Sequence, residues 1–307
     1  MVAKKILITG GGGFVGLHLA EICLKAGHPT YVYGAHLDEA YIHSIVPDAV
    51  LIESSILARQ DIRLACEGVD VVFHVAGVTS IPQTIEDPLG THNVNVNGTL
   101  EVLEAARIAK VRRIVFTSSA AIYGNSAKTP LSEKLPYAPE SPYALQKVIG
   151  EQYVQLWHSL FGLETTIIRP FNVYGLRQKG DSQHSGAITR FFESVKLGKP
   201  IEISGDGNQM RDFINVRDVA SAMYSAAFNP NANGEIFNVG SGVGLSINEV
   251  MRTICEILDT PFVPTYVPGR AGDIKESVAD ISRARDILQW KPTVLFREGI
   301  AELAQAK

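Results

Sequence analysis

The sequence predicts an α/β protein with a doubly wound parallel sheet and a smaller C-terminal domain. Short runs rich in β-branched residues alternate with segments whose apolar residues recur at helical spacing, a pattern typical of βαβ units. A glycine-rich turn, Gly10–Gly16, connects the first run to the first helical segment. After Arg169 the alternation gives way to polar, glycine-containing stretches, which indicates a second region.

Five strands are predicted within the first 120 residues: Ile6–Thr9, Thr30–Tyr33, Val50–Ile52, Val69–His74 and Arg113–Thr117. The helices predicted between them are Gly13–Ala26, Asp61–Cys66 and Val94–Ala109. The helix Tyr143–Leu160 and the strand Glu164–Ile168 continue the pattern. Because helices separate these strands, we expect the strands to run parallel.

The second region is predicted to be discontinuous. Its polar stretches contain a helix at Ala187–Leu197, a turn at Gly205–Gly207 and a proline-containing loop at Pro261–Gly272. Ala220–Ala227 and Phe237–Val239 look like a return to the first region. We therefore expect residues 1–170, with about 212–240, to form the sheet domain. Residues 171–211 and 241–307 would form the smaller domain.

The composition is that of a globular protein: of 307 residues, 46% are hydrophobic and 20% charged, with a formal net charge of −4. The chain has no Lys/Arg-rich run, which argues against nucleic-acid binding, and no apolar run of about 18 residues that could span a membrane. A strand starting at Ile6 leaves no room for a signal peptide, so we expect a cytoplasmic protein. The three cysteines and eight histidines are scattered and predict neither disulfides nor a metal site.

The glycine-rich turn predicts a dinucleotide-binding (Rossmann) loop. Two registers fit the motif, one starting at Gly11 and one at Gly10, and both continue through Gly13 and Gly16. Glycines let the backbone approach a pyrophosphate at the helix N-terminus, and the last one lets helix and strand pack closely. The candidate cofactor-binding residues of this loop are Gly10, Gly13, Phe14, Val15 and Gly16.

The end of the second strand leaves the choice of dinucleotide open. An acidic residue is expected there to hold the adenosine ribose, but the strand runs into Gly34, Ala35 and His36, and the first carboxylate is Asp38. Either the loop carries Asp38 back to the ribose, or the site accepts a 2′-phosphate with help from His36. NAD and NADP are therefore both compatible with the sequence.

Tyr143 and Lys147 are candidate catalytic residues, because four-residue spacing places them on one face of a helix. An ammonium group beside a phenol favours the phenolate. To act as a base near neutrality the phenol pKa must fall from about 10 to about 7, which requires roughly 4 kcal/mol of electrostatic stabilisation. The strand Arg113–Thr117 leads into two further hydroxyls, Ser118 and Ser119.

These residues resemble the extended short-chain dehydrogenase/reductase family, and within it the nucleotide-sugar epimerases. The resemblance covers nearly the whole chain. Besides the glycine loop and the Tyr143/Lys147 pair, it includes the segments His74–Gly77, Asn95–Thr99 and Ser118–Gly124.

The resemblance implies roles for the active-site residues. Ser119 would hydrogen-bond the sugar oxygen that is oxidised, and Tyr143 would shuttle its proton. Lys147 would hold the nicotinamide ribose and tune the phenol. Ala76 and Asn95 would lie at the cofactor, where Asn95 helps to hold the active-site loop.

The resemblance also implies a substrate half in the second region. Asn172, within Arg169–Gly175, would contact the nucleotide diphosphate. Arg211 and Arg270 would bind the phosphates through their guanidinium groups, and Asp273 would bind the nucleotide ribose.

The residues after Ser119 favour epimerisation among the reactions of this family. Related dehydratases carry Asp-Glu there and related decarboxylases carry a Glu, whereas this chain has Ala120 and Ala121. We therefore expect NAD-dependent epimerisation of a UDP-hexose at C4 through a transient 4-keto sugar. Gly34 and Ser55 stand where the family has acidic residues, and Thr79 stands where some epimerases have a lysine.

These departures keep a second reading open, an NADP-dependent nucleotide-sugar 4-ketoreductase. A non-catalytic nucleotide-binding scaffold is a third alternative. The loops Thr79–Thr84, Asn125–Lys128 and Gln178–Ser185 would choose the sugar. The resemblance further implies a homodimer in which Val94–Ala109 and Tyr143–Leu160 form a four-helix bundle with the partner.

Overall fold

A parallel sheet carries the larger part of the chain. The computed structural model describes residues 2–126, 128–178, 187–269 and 274–306. The strands are β1 Ile6–Thr9, β2 Thr30–Gly34, β3 Val50–Glu53, β4 Val71–His74, β5 Arg113–Thr117, β6 Glu164–Pro170, β7 Asn172–Tyr174, β8 Ile201–Ser204, β9 Met210–Asn215, β10 Glu235–Val239, β11 Gly244–Ser246, β12 Pro264–Val267 and β13 Glu276–Ser277.

Helices flank the strands. They are α1 Phe14–Lys25, α2 Glu39–Ile45, α3 Arg59–Cys66, α4 Ile81–Glu86, α5 Pro88–His92, α6 Gly98–Ile108, α7 Pro142–Phe161, α8 Ala187–Lys196, α9 Val216–Phe228, α10 Ile247–Ile257, α11 Ser282–Leu288 and α12 Phe296–Gln305. A π-helical turn, Asn93–Asn97, precedes α6, and 3₁₀ turns occupy Ala120–Tyr123 and Pro230–Ala232.

Among the described residues, seven strands form one parallel sheet in the order β3-β2-β1-β4-β5-β6-β10. The predicted doubly wound fold is therefore confirmed. The chain proceeds outward from β1 to β3 on one side and from β4 onward on the other. This reversal opens a crevice at the carboxyl ends of β1 and β4, where open α/β sheets bind ligands.

The sheet is buried on both faces, which explains its continuous apolar strands. Ile6, Leu7 and Ile8 of β1 have no exposed surface. Ile6 and Ile8 join one core, with α1 and α9, and Leu7 joins the other, with α3, α6 and α7.

A smaller sheet follows the carboxyl end of the large one. Strand β9 pairs with β7 and β13 in parallel and with β11 in antiparallel, and a separate parallel pair joins β8 to β12. Helices α8, α10 and α12 cover these strands through a core that includes Phe192, Ile254 and Ile300.

The structure changes one detail of the expected domain division. As expected, β10 lies in the large sheet, and α9 packs into the core beside α1. Residues 212–215, which the sequence assigns to the sheet domain, instead belong to β9 of the small sheet, because Asp212 pairs with Gly244 and Phe213 with Asn172. The division into two domains otherwise stays a prediction.

A buried carboxylate fixes the crossing between the two sheets. Asp212 has no exposed surface, and its side chain accepts hydrogen bonds from the amides of Ser241, Gly242 and Ala279 and from the Ser241 hydroxyl. Burial raises the pKa of Asp212, while these hydrogen bonds act in the opposite direction. They therefore hold β9 against the chain that leaves β10.

A buried ion pair joins α7 to β6. Glu151 is fully buried and receives two hydrogen bonds from the Arg169 guanidinium, at 2.9 and 2.6 Å. Tyr137 also donates to Glu151. Arg169 in turn donates to the Tyr123 hydroxyl at 2.7 Å. Every partner of this cluster is hydrogen-bonded, as a buried charge requires.

Over the described residues, no helix combines the length and apolar character needed to cross a membrane.

We expect Arg169→Met to destabilise the protein strongly, because it leaves the Glu151 carboxylate buried without its cation. Losing one partner of a buried pair costs about 3–5 kcal/mol. Urea denaturation measures the change. The matched control is Arg297→Met, whose pair with Glu256 is exposed and whose loss costs no more than about 1 kcal/mol. Equal losses in the two variants would contradict a structural role for the buried pair.

Candidate active site

A cleft of about 570 Å³ opens at the carboxyl ends of the central strands. The glycine loop forms one wall, and the residues after β4 and β5 form another. Side chains from α7 complete it. Its lining includes Gly10, Gly13, Phe14, Val15, Ala76, Ser119, Tyr143 and Lys147. The structure therefore brings together these residues, which the sequence analysis selected from four separate segments.

The glycine loop is packed too tightly for side chains. Gly10 has a φ of +69°, and a Cβ there would lie 2.7 Å from the backbone nitrogen of Ala76. A Cβ on Gly16 would lie 2.3 Å from the Gly10 carbonyl oxygen. Because Gly10 and Gly16 have no side chain, the loop can pack against the backbone of Ala76 and the first turn of α1. This is the requirement of the motif that starts at Gly10.

The N-terminus of α1 faces the cleft without a capping side chain. Gly13 is its N-cap and makes no side-chain hydrogen bond, and Phe14 and Val15 line the cleft. Helix N-terminal amides and the helix dipole attract anions. A glycine cradle at an uncapped helix N-terminus therefore fits the pyrophosphate of a dinucleotide.

Ser119, Tyr143 and Lys147 lie together across the cleft. The Ser119 and Tyr143 side chains both line the cleft, and the Ser119 hydroxyl accepts a hydrogen bond from the Ala121 amide. The Lys147 ammonium donates to the Thr117 carbonyl at 2.7 Å and lies 6.0 Å from the centre of the Tyr143 ring. Lys147 is thereby anchored to the end of β5, one turn along α7 from Tyr143.

Burial dominates the electrostatics of this group. It lowers the pKa of Lys147 to about 8, with Glu151 acting in the opposite direction, so the ammonium is largely charged at neutral pH. Burial raises the pKa of Tyr143, and the Ser119 side chain opposes that rise. The phenol is therefore protonated at neutral pH in the protein alone. The phenolate expected from the sequence needs further positive charge in the cleft.

Asn95 holds the loop that follows β4. Its side-chain oxygen accepts from the Val78 amide at 2.7 Å, and its nitrogen donates to the Val78 carbonyl at 2.9 Å. The same nitrogen donates to Gln146, the neighbour of Lys147 on α7. Asn95 lies in the π-helical turn, an irregularity frequent at functional sites. Sequence analysis missed Gln146, although a polar residue on the same helix as Tyr143 and Lys147 was a signal.

His74 is a second residue that sequence analysis did not assign. It is buried, and its ring nitrogens hydrogen-bond Thr9 at 2.7 Å and Thr99 at 2.9 Å. Burial lowers the pKa of His74 to about 3, with a smaller contribution from Lys147, so the imidazole is neutral. Because Thr99 donates its proton to the Asn95 carbonyl, it accepts from His74 Nε2–H, and Thr9 donates to Nδ1. His74 thus links β1, β4 and α6 beneath the cleft.

A second pocket of about 450 Å³ lies beside the small sheet. Asn172 and Arg211 line it together with Arg190 and Gln209. The Arg211 guanidinium donates to the carbonyls of Met210 and Ile274, which orients it along the strand end. Arg190 was missed because it lies outside the recognised motifs. Arg270 and Asp273 are outside the described residues.

Strand β7 connects the two pockets. Asn172 lines the second pocket, while the next residue, Val173, lines the cleft. Successive side chains of a strand point to opposite faces, so one short strand serves both sites. Of the loops expected to choose the sugar, Thr79 and Gln178 line the cleft, whereas residues 127 and 179–186 are outside the described residues.

The end of the cleft beside β2, where the sequence predicts the adenosine, is formed by Gly34, Ala35, His36 and Leu37. Asp38 is not among the lining residues, because its carboxylate caps α2 by accepting from the Tyr41 amide at 3.0 Å. The alternative in which the loop carries Asp38 back to the ribose is therefore not what this structure shows. The Ser55 hydroxyl accepts from the Leu57 amide.

The fold and the site define a nucleotide-binding α/β protein in which Ser119 lies beside the buried side chains of Tyr143 and Lys147. The profile of the NAD dependent epimerase/dehydratase family matches residues 6–240. The chain belongs to this family, which confirms the resemblance found in the sequence.

Relatives with different named activities align over nearly the full chain. UDP-glucose 4-epimerase of Mycolicibacterium smegmatis is 35% identical, covering 98% of this chain and 97% of its own. UDP-N-acetyl-alpha-D-glucosaminuronate decarboxylase of Bacillus cytotoxicus is 34% identical, with the same coverage. The crystal structure of UDP-glucose 4-epimerase from Thermotoga maritima with UDP-glucose superposes with a TM-score of 0.91 at 30% identity, covering 98% of this chain and 97% of that one.

We expect Gly10→Ala to weaken both the fold and the binding of NADH, because its Cβ would strike the Ala76 backbone. The matched control is Gly27→Ala, which has a similar φ of +80° but no atom within 4 Å of the new Cβ. The control should cost about 1–2 kcal/mol from backbone strain alone. Gly10→Ala should cost a further 1–3 kcal/mol or so. Urea denaturation and NADH fluorescence titration measure the two effects; equal behaviour of the variants would argue against a tight loop.

Proposed function

We propose that this chain is a UDP-hexose 4-epimerase that uses NAD. The observation that carries the proposal is the convergence of Ser119, Tyr143 and Lys147 in a dinucleotide-type cleft beside an arginine-lined pocket. The family profile and the UDP-glucose 4-epimerase relatives support the same reading.

In the proposed mechanism the second pocket binds the nucleotide part of the substrate and the cleft binds its sugar. Arg211 and Asn172 hold the nucleotide diphosphate in the second pocket, where guanidinium and amide groups match phosphate oxygens. The sugar then extends past β7 into the cleft, where Ser119 and Tyr143 hydrogen-bond its 4-hydroxyl. Bound NAD supplies the hydride acceptor for oxidation at C4 and the donor for reduction.

Tyr143 carries the proton in both directions. Ionised with the help of the positive charge that bound NAD would add to that of Lys147, it takes the proton of the 4-hydroxyl as the 4-keto sugar forms and returns it after the sugar has turned its other face to the cofactor. Lys147, fixed on the Thr117 carbonyl, keeps a positive charge at the reacting group. Ser119 keeps the Tyr143 hydroxyl oriented toward the substrate.

The residues after Ser119 support epimerisation over elimination or decarboxylation. Ala120 and Ala121 form the start of the 3₁₀ turn and carry no acid–base group. The 34% identical decarboxylase shows that overall similarity does not choose between these reactions. The choice therefore rests on this short segment.

A second candidate is an NADP-dependent nucleotide-sugar 4-ketoreductase. It is favoured by the adenosine end of the cleft, where Gly34 replaces the usual acidic residue. A non-catalytic scaffold is disfavoured because Tyr143 and Lys147 are both in place.

We also propose that the chain forms a homodimer through α6 and α7. Their outward side chains include large apolar residues with about half of their surface exposed: Ile108, Leu145, Leu156, Leu160 and Phe161. Several large, exposed apolar side chains on two neighbouring helices are typical of an interface.

We expect Tyr143→Phe to lower kcat by about 10²- to 10⁴-fold, because it removes the proton-transfer group. UDP-glucose, UDP-N-acetylglucosamine and UDP-glucuronate are each supplied, and product formation is followed by chromatography. The control is Tyr153→Phe, which removes the hydroxyl of another tyrosine on the same helix, whose ring packs on Trp157. A scaffold would show no turnover in the natural chain. Release of CO₂ from UDP-glucuronate would replace the epimerase proposal with a decarboxylase.

We expect the double variant Leu156→Glu/Leu160→Glu to be monomeric, since it places charges in the proposed interface. Light scattering after size-exclusion chromatography measures the mass. The control is Leu197→Glu, which changes a leucine of comparable exposure at the end of α8. A natural chain that is already monomeric would refute the dimer.

A further inference from the structure

The carboxyl end of β2 is built differently from that of an NAD-selective site. In dinucleotide-binding sheets an acidic side chain at this position hydrogen-bonds the adenosine ribose, and its charge disfavours a 2′-phosphate. Here the strand ends at Gly34, and the cleft wall continues through Ala35, His36 and Leu37.

The nearby carboxylates Asp38, Glu53 and Asp61 are not among the residues that line the cleft. Asp38 caps α2 through the Tyr41 amide. The Asp61 carboxylate accepts a hydrogen bond from the Ser54 hydroxyl, with an O–O distance of 2.6 Å. Glu53 pairs with Gly34 in the sheet but does not line the cleft.

The charge of the cleft follows from this arrangement. Its described lining contains one lysine, Lys147, and one histidine, His36, but no aspartate or glutamate. Lys147 lies at the catalytic end, and His36 lies at the adenosine end. Within the described part of the cleft, no negative charge opposes a phosphate group on the adenosine ribose.

We infer that this chain binds the 2′-phosphorylated dinucleotide, NADP, with an affinity within about tenfold of its affinity for NAD, and that Gly34 is the residue that determines this. The inference rests on the proposed cofactor role of the cleft. It extends that role by naming the position that sets the choice between the two nucleotides.

Gly34 can be substituted without rebuilding the loop. Its backbone is not in the left-handed region, and a Cβ would meet only the Leu37 side chain, with the closest approach 2.9 Å from Cδ2. That atom is the end of a flexible side chain and can move aside. Gly34→Asp therefore tests charge, and Gly34→Asn tests size alone.

The experiment is a competition at equal concentrations of isotope-labelled NAD⁺ and NADP⁺. The purified protein is equilibrated with the mixture, freed of unbound nucleotide and denatured, and mass spectrometry counts the labelled molecules released. We expect NADP⁺ to make up at least about a tenth of the bound label. Gly34→Asp should lower the NADP⁺ to NAD⁺ ratio by about a hundredfold through like-charge repulsion, whereas Gly34→Asn should leave it within about threefold.

The outcomes separate this inference from the proposed function. Bound NAD⁺ with less than about a tenth of NADP⁺ in the natural chain would overturn the inference and leave the NAD-dependent epimerase standing. An unchanged ratio in Gly34→Asp would overturn the role of Gly34. Release of no nicotinamide dinucleotide at all, labelled or unlabelled, would refute the cofactor role on which both depend.

Discussion

The buried pair of Glu151 and Arg169 is the constraint on which the active site depends. Glu151 lies on the same face of α7 as Tyr143 and Lys147, eight and four residues further along the helix. Its carboxylate also accepts a hydrogen bond from Ser118, the residue before Ser119. The carboxylate therefore fixes the end of β5 and the helix together, so Ser119 and Tyr143 line the same cleft. Burying the charges of Glu151 and Arg169 away from water costs free energy unless each group is fully hydrogen-bonded. The pair is therefore stable only when its hydrogen-bonding partners are in place.

The topology of the parallel sheet determines where the side chains of Ser119, Tyr143 and Lys147 lie. Reversal of strand order between β1 and β4 opens the crevice, and β1 runs directly into the glycine loop that fits a pyrophosphate. His74 and Asn95 tie the strands to the loop that follows β4, so the cofactor side and the catalytic side share one hydrogen-bonded base. Successive residues of β7, Asn172 and Val173, line the arginine-lined pocket and the cleft. Under the proposed function, this adjacency would let one protein hold a nucleotide and present its sugar to Ser119 and Tyr143.

Patterns local in sequence were predictable, and contacts between distant residues were not. Alternating strands and helices, the glycine loop and the four-residue spacing of Tyr143 and Lys147 are repeated or closely spaced features, and the fold they predicted is confirmed. The partnership of Glu151 with Arg169, like that of Asn95 with Gln146, joins segments that only the tertiary structure brings together. The pKa of Tyr143 was also beyond sequence reasoning, because burial raises it and the extent of burial depends on the packed cleft. Arg211 lies in the pocket where a motif placed it, while the functions of all these side chains stay predictions.

The central claim is that hydrogen leaves C4 of the sugar and returns to the same carbon. The most direct measurement uses UDP-glucose deuterated at C4, incubated in ordinary water, with the product examined by mass spectrometry and NMR. We expect the C4 epimer with its deuterium retained, because the hydride removed from C4 would be held by bound NAD and returned to the same carbon. An epimer that carries solvent hydrogen at C4, or a product that has lost water or CO₂, would contradict it.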